Sequence, residues 1–193
     1  MKSLLLTATA ALLLAVGLIA PASASSDYLL NLDGTVAKFQ EAVGGIQPPI
    51  AGSTELLPAI QKIREAANRM MSACGDPASG EVDSPCAASE LSAAILEEGG
   101  KGHKDASPLL KLFIEGSGLD ENKAKQFVRQ CASSPHPDLA TESMLTGILI
   151  GLLRECEALK MTDSVLDPLH EALEITSKMV RSGPTYDVKV IKK

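Results

Sequence analysis

From Leu29 to Val180 the apolar residues recur in alternating steps of three and four. That is the period of one helix face, and it leaves little room for strands. Leu29, Leu32, Val36, Phe39 and Val43 form the first stripe, which Gly44–Gly45 stops. Gly34 weakens that helix by about 1 kcal/mol relative to Ala. IQPPIAG cannot be helical and reads as a linker. A second stripe follows on Leu56, Ile60, Ile63, Ala67, Met70 and Cys74, with Pro58 near its first turn and Lys62, Arg64, Glu65 and Arg69 off it. Its last member points the Cys74 thiol at the core.

Ser84–Pro85 reads as an N-cap followed by Pro at the first helical position, opening a helix to Glu98 that Gly99–Gly100 ends. GGKGHKDA is a flexible loop. Ser107–Pro108 starts a short apolar helix, LLKLFIE, that stops at Gly116. Leu119–Asp120 is a hydrophobic residue before an N-cap, leading through Phe127, Val128 and Cys131. SSPHPD is extended, because a residue before proline is pushed out of the helical region. Residues 139–160 contain MLTGILIGLL, apolar nearly all round, which marks a central buried helix. Its Gly147-x-x-x-Gly151 spacing lets a neighbouring backbone approach closely; in a soluble chain this is a packing feature. The last helix carries Leu166, Leu169, Leu173, Thr176 and Val180, and Gly183–Pro184 ends it. The tail TYDVKVIKK alternates like a strand but finds no partner strand, so 183–193 is expected to be loose.

The expected fold is therefore all-α: a compact helical bundle of about four long and three short helices, stapled by two disulfides. The first, second, sixth and seventh helices are expected to form its core, with the shorter ones decorating it or closing one end.

The amino terminus places the chain. Lys2 precedes an uncharged apolar run from Leu4 to about Ile19, then Pro21 and the A-x-A site Ala22-Ser23-Ala24. This is the layout of a secretory signal peptide over residues 1–24. The run is shorter than the roughly 20 residues that span a bilayer, and no basic flank follows it, so no stable membrane anchor is expected. Export to the periplasm or the medium follows, with residues 25–182 as a single all-α domain. Cleavage leaves 17 basic against 24 acidic residues. An acidic chain with no basic patch, no Trp, two Tyr and three Phe lacks the means to hold nucleic acid or anionic membrane surfaces.

Four cysteines in an exported chain predict two disulfides. Cys74–Cys86 would join one helix end to the next helix start. It would leave Cys131–Cys156, which needs SSPHPD to walk back along the following helix. The alternatives join Cys74 to Cys156 or to Cys131. The loop CGDPASGEVDSPC has the residues of a metal site but not the spacing. Counted from Asp76, Ala78 and Gly80 stand where calcium ligands are needed, and eleven residues between cysteines suit neither zinc nor a redox C-x-x-C pair. One rival is a reactive Cys86, whose thiol sits in a first helical turn.

Other chemistry is sparse. His103 in KGHKD and His136 between two prolines read as solvated loop residues, and GGKG lacks P-loop spacing. Asp167, His170, Glu171 and Glu174 share a helix face that resembles half of a dimetal carboxylate site. No second E-x-x-H exists, and Glu155 and Glu157 sit at the edge of a buried helix, so a solvated polar face is the better reading. C-x-x-C-H and G-x-S-x-G are both absent, and Met70 and Met71 are explained by packing. No catalytic residue, metal or cofactor is assigned. The leading expectation is an exported non-enzymatic interaction or binding protein (an inhibitor, adaptor or envelope factor) whose partner is another protein. A carrier of a small apolar ligand or lipid in the bundle interior is the alternative, and a metal- or thiol-dependent enzyme comes last.

Overall fold

A computed structural model describes residues 23–97 and 106–182, and side chains from 25 to 97 and from 106 to 177. Residues 1–22 of the expected signal peptide, the KGHKD loop with His103, the Gly99–Gly100 stop and the tail from 183 lie outside the described residues. Seven helices fill the described part: α1 (Ser26–Gly44), α2 (Ser53–Cys74), α3 (Ser84–Leu96), α4 (Pro108–Ser117), α5 (Glu121–Cys131), α6 (Pro137–Ala158) and α7 (Asp163–Ser182). The chain is all-α, with four long helices and three short ones.

The stripes become the core. Leu29, Leu32, Val36, Phe39 and Val43 of α1 are buried, as are Leu56, Ile60, Ile63, Ala67, Met70 and Cys74 of α2. Capping follows the local chemistry. Asp120 takes the Lys123 amide at 2.9 Å to open α5, and Ser25 takes the Asp27 amide at 3.3 Å to open α1. Pro58 stands sixth in α2, beyond the first turn, and the helix tolerates it on its exposed side.

Several ends differ from expectation: α3 stops at Leu96 rather than Glu98, and α6 spans Pro137–Ala158 rather than 139–160. Asp83 rather than Ser84 is the N-cap residue of α3, and α4 continues two residues to Gly118, whose φ of 67° closes it in the left-handed region.

The long helices run as a chain of neighbours, α2 on α1, α1 on α7, α7 on α6. The expected four-helix core is incomplete, because the short helices lie between α2 and α6 and are core themselves. Leu91 and Ile95 of α3 and Leu109, Leu110 and Phe113 of α4 are essentially inaccessible. The reason is composition: neither helix carries enough charge to present a solvated face.

The most extensive helix contact joins α4 to α6, and three glycines make it. A Cβ on Gly116 would fall onto the Gly147 carbonyl and within 2.7 Å of the Gly151 nitrogen. One on Gly147 would lie 2.6 Å from the Phe113 ring, and one on Gly151 would collide with the Leu112 carbonyl. The close approach expected of Gly147 and Gly151 is thus made, and Gly116 reciprocates it from α4. Arg154 of α6 donates to the Glu115 carbonyl beside this contact. The Phe113 and Phe127 rings stack at 5.7 Å to bring in α5, and Ser92 of α3 donates to the Val128 carbonyl at 3.1 Å. On the far side, Arg64 of α2 bonds Asp33 at 3.0 Å and Gln40 at 3.1 Å on α1.

Gly34, by contrast, has nothing within 4 Å of the space a Cβ would take. Two substitutions of one chemical kind should therefore part in sign. Gly151→Ala should cost about 3 kcal/mol, since the neighbour it strikes is backbone. Gly34→Ala should gain about 0.5–1 kcal/mol. Urea unfolding followed by circular dichroism measures both.

Candidate functional site

The two-cysteine loop is a stapled corner. Cys74 closes α2, Cys86 lies in the first turn of α3, and their sulfurs are bonded with Cα atoms 5.6 Å apart. Between them the chain folds as a hairpin of β2 (Gly75–Asp76) and β3 (Glu81–Asp83). A third strand, β1 (Ser23–Ser25), lies antiparallel on the other side of β3, pairing Ser23 with Asp83 and Ser25 with Glu81. Helical periodicity did not foretell these strands. Their trace in the sequence is brief: Glu81 and Asp83 exposed around Val82, which is fully buried, just after Gly80 at φ 69°.

Asp76 is used up by the turn. Its carboxylate accepts the Ala78 amide and the Ser79 hydroxyl, both at 2.9 Å. Those bonds, the Ala78 amide first, hold its pKa below the usual carboxylate range. Ser26 fastens α1 to the same turn, its amide and hydroxyl both donating to the Gly80 carbonyl at 2.9 and 2.7 Å. The bridge also disposes of a reactive Cys86, whose sulfur is already bonded.

The second expected disulfide does not form: Cys131 and Cys156 are free, buried thiols. SSPHPD does not walk back. The Ser133 and Ser134 amides fold onto the Gln130 and Cys131 carbonyls, and α6 starts at once at Pro137. Cys156 then lies nineteen residues into α6, about 28 Å along its axis, while Cys131 stays at the helix start. Burial pushes the Cys131 thiol up to about 11. Burial, with Glu155 and Glu157 beside it, pushes Cys156 up to about 12. Neither thiol is ionised at neutral pH, which is the wrong state for a nucleophile or a metal ligand.

Cys131 lines an open cleft of about 240 Å³ between the end of α5 and the start of α6. Phe127, Cys131, Leu139 and Ala140 give it an apolar floor, and Gln130, Ser134, His136 and Ser143 a polar rim. The sequence did not single out this concavity, although it contains two residues, Cys131 and His136, that had been considered separately. A second open cleft, about 370 Å³, lies against the staple and includes Met71, Asp76 and Pro77.

The remaining candidates do not come together. Asp167, His170, Glu171 and Glu174 are exposed on α7, where Glu171 lies 3.9 Å from Lys38 of α1. Among the described residues no three His, Cys, Asp or Glu side chains converge as a metal cluster. Glu142 is a residue that helical reading missed. It is only 8% exposed, and burial raises its carboxyl from the ordinary 4.5 to about 6. Its position three before Leu145 and seven before Leu149 on an apolar stripe was the available sign. Tyr28 of α1 is buried near it, and burial together with the Glu142 charge drives the phenol far above its ordinary range.

A thiol-specific reagent should therefore find almost no reactive sulfur in the native chain and two thiols after unreduced unfolding. Four thiols, or none, would contradict the single bridge.

The folded chain holds the Glu142 proton more tightly than the unfolded chain does. Its contribution to stability is complete below pH 4.5 and is lost as pH rises through about 6. Glu142→Gln in metal-free buffer should therefore stabilise the fold by about 1–2 kcal/mol at pH 7.5 and by nearly nothing at pH 4. Thermal unfolding at the two pH values measures the difference.

No protein-family model, curated protein or solved structure matches the chain, so its role has to be argued from its own residues.

Proposed function

We propose that the chain is an exported, non-enzymatic α-helical binding protein whose partner is another protein. The apolar run with its A-x-A site supports export, as does the Cys74–Cys86 bridge, which belongs to an oxidising compartment. Among the described residues no helix is long and apolar enough to cross a membrane.

The observation that carries the binding reading is the α5–α6 cleft, with its apolar floor and polar rim. Its volume falls short of the roughly 300 Å³ at which pockets for drug-sized molecules begin. One or two apolar side chains of a protein partner suit it better, with the rim bonding to that partner's backbone. Rigid placement favours such a role, since α6 is locked against α4 and an ordered surface loses little entropy on binding. The carrier reading draws less support. Its apolar segment, 144–153, is already engaged through Gly147 and Gly151.

Ser143→Trp would fill the cleft without touching the core. A protein cross-linked to the wild-type chain in the extracytoplasmic fraction should be lost from Ser143→Trp and kept by Lys38→Ala, on the α1–α7 side. Equal capture by both variants would remove the cleft from the proposal. A lipid found by native mass spectrometry in the purified chain would favour the carrier instead.

A further inference from the structure

The bond at which processing is expected, Ala24–Ser25, does not lie in a free arm. It falls inside β1, which pairs antiparallel with β3 as Ser23 with Asp83, Ala24 with Val82 and Ser25 with Glu81. Bonded and non-bonded pairs alternate along an antiparallel ladder. The Ser26 amide donates to the Gly80 carbonyl at 2.9 Å, which makes Ala24 and Val82 the next bonded pair inward. The Ala24 carbonyl, the one a peptidase would attack, is therefore taken by the Val82 amide.

The chain just after that bond is held as well. Ser25 caps α1 by accepting the Asp27 amide, and the helix begins at Ser26. The Ser26 hydroxyl adds a second bond to the Gly80 carbonyl at 2.7 Å. β3 itself cannot easily move aside. Its Val82 is fully buried, β2 pairs with its other edge, and the Cys74–Cys86 bridge closes the hairpin between two helices. A peptidase lays its substrate out as an extended strand against its own backbone. Here the strand's backbone is already engaged, and a helix starts one residue beyond the bond to be cut. Cleavage of the folded chain then waits on local opening, and its rate follows the open fraction.

We propose, resting on the export reading above, that the folded and oxidised corner shields its own processing site, so that the leader has to be removed before Cys74–Cys86 closes. The step is a hydrolysis: the hydroxyl of water goes to the Ala24 carbonyl carbon and its proton to the departing Ser25 amine. Chain order makes the timing workable. Ala24 emerges about sixty residues ahead of Cys86, a lead of roughly 3–12 s at about 5–20 residues per second. A chain that closes its corner within that lead keeps its leader.

The full chain, produced without export and oxidised in detergent micelles, can be given a purified signal peptidase while intact mass follows the loss of residues 1–24. Native chain should be cut about tenfold or more slowly than the same chain added reduced from urea. Val82→Pro, which deletes the amide on Ala24, should restore fast cutting with the bridge intact. Hydrogen exchange on the wild-type chain reads the same contact without enzyme or variant: the Val82 and Ser26 amides should be protected. Native chain cut as fast as unfolded chain, or rapid exchange at both amides, would overturn the shield. A folded Val82→Pro cut as slowly as wild type would place the protection elsewhere and overturn it equally. Unfolded chain left uncut after Ala24 would overturn the export reading itself, and the shield with it.

Discussion

Gly116, Gly147 and Gly151 allow α4 and α6 to meet backbone against backbone, and the rest of the molecule is arranged around that contact. At ordinary helix separations side chains set the spacing, at about 8–10 Å. Here the side chains are absent, so α4 sits closer and becomes part of the core rather than a cover. Phe113, next to the glycines, fills the space over Gly147 and stacks on Phe127, which brings α5 into place. The α5–α6 cleft is a downstream product: its floor includes Phe127, and its walls are held by a helix that cannot slide.

Helix identity and several helix ends were legible because they depend on short-range signals: 3–4 periodicity, the Asp120 cap, and the Gly45 stop. The role of the short helices was not legible. Periodicity reports which face of a helix is apolar, but not which neighbour covers it. In α6 nearly every face is apolar, and only the three-dimensional partner of Gly147 and Gly151 separates them. The hairpin between the cysteines was missed for a related reason. Three residues of Glu81-Val82-Asp83 are too few to express a period, and the pairing that stabilises them comes from sixty residues away.

The cysteines show how a local argument can be right and its corollary wrong. Cys74 and Cys86 are close because helix end, turn and helix start leave the chain little choice. Pairing the other two followed only by elimination, and elimination ignores the rigidity of a helix. Once Pro137 begins α6, the distance to Cys156 is set by helical rise and no loop can shorten it. The candidate cleft was hidden by the same mechanism in reverse: Cys131 and His136 were each legible as residues, but a five-residue turn of specific shape makes them neighbours on one wall. Tyr28 and Glu142 were harder still, since sequence lists a buried acid and a solvated one with the same letter.

The three rungs between β1 and β3 include Ser23 and Ala24, which lie on the leader side of the expected processing site. A signal peptidase cutting after Ala24 would take two rungs with it. If that processing occurs, the covered edge of β3 is borrowed from a segment that would leave. The Ser26 bonds to Gly80 would then become the remaining tether between α1 and the stapled hairpin. Maturation and local unpairing would be one event, and the finished protein would display a strand edge that its precursor keeps occupied.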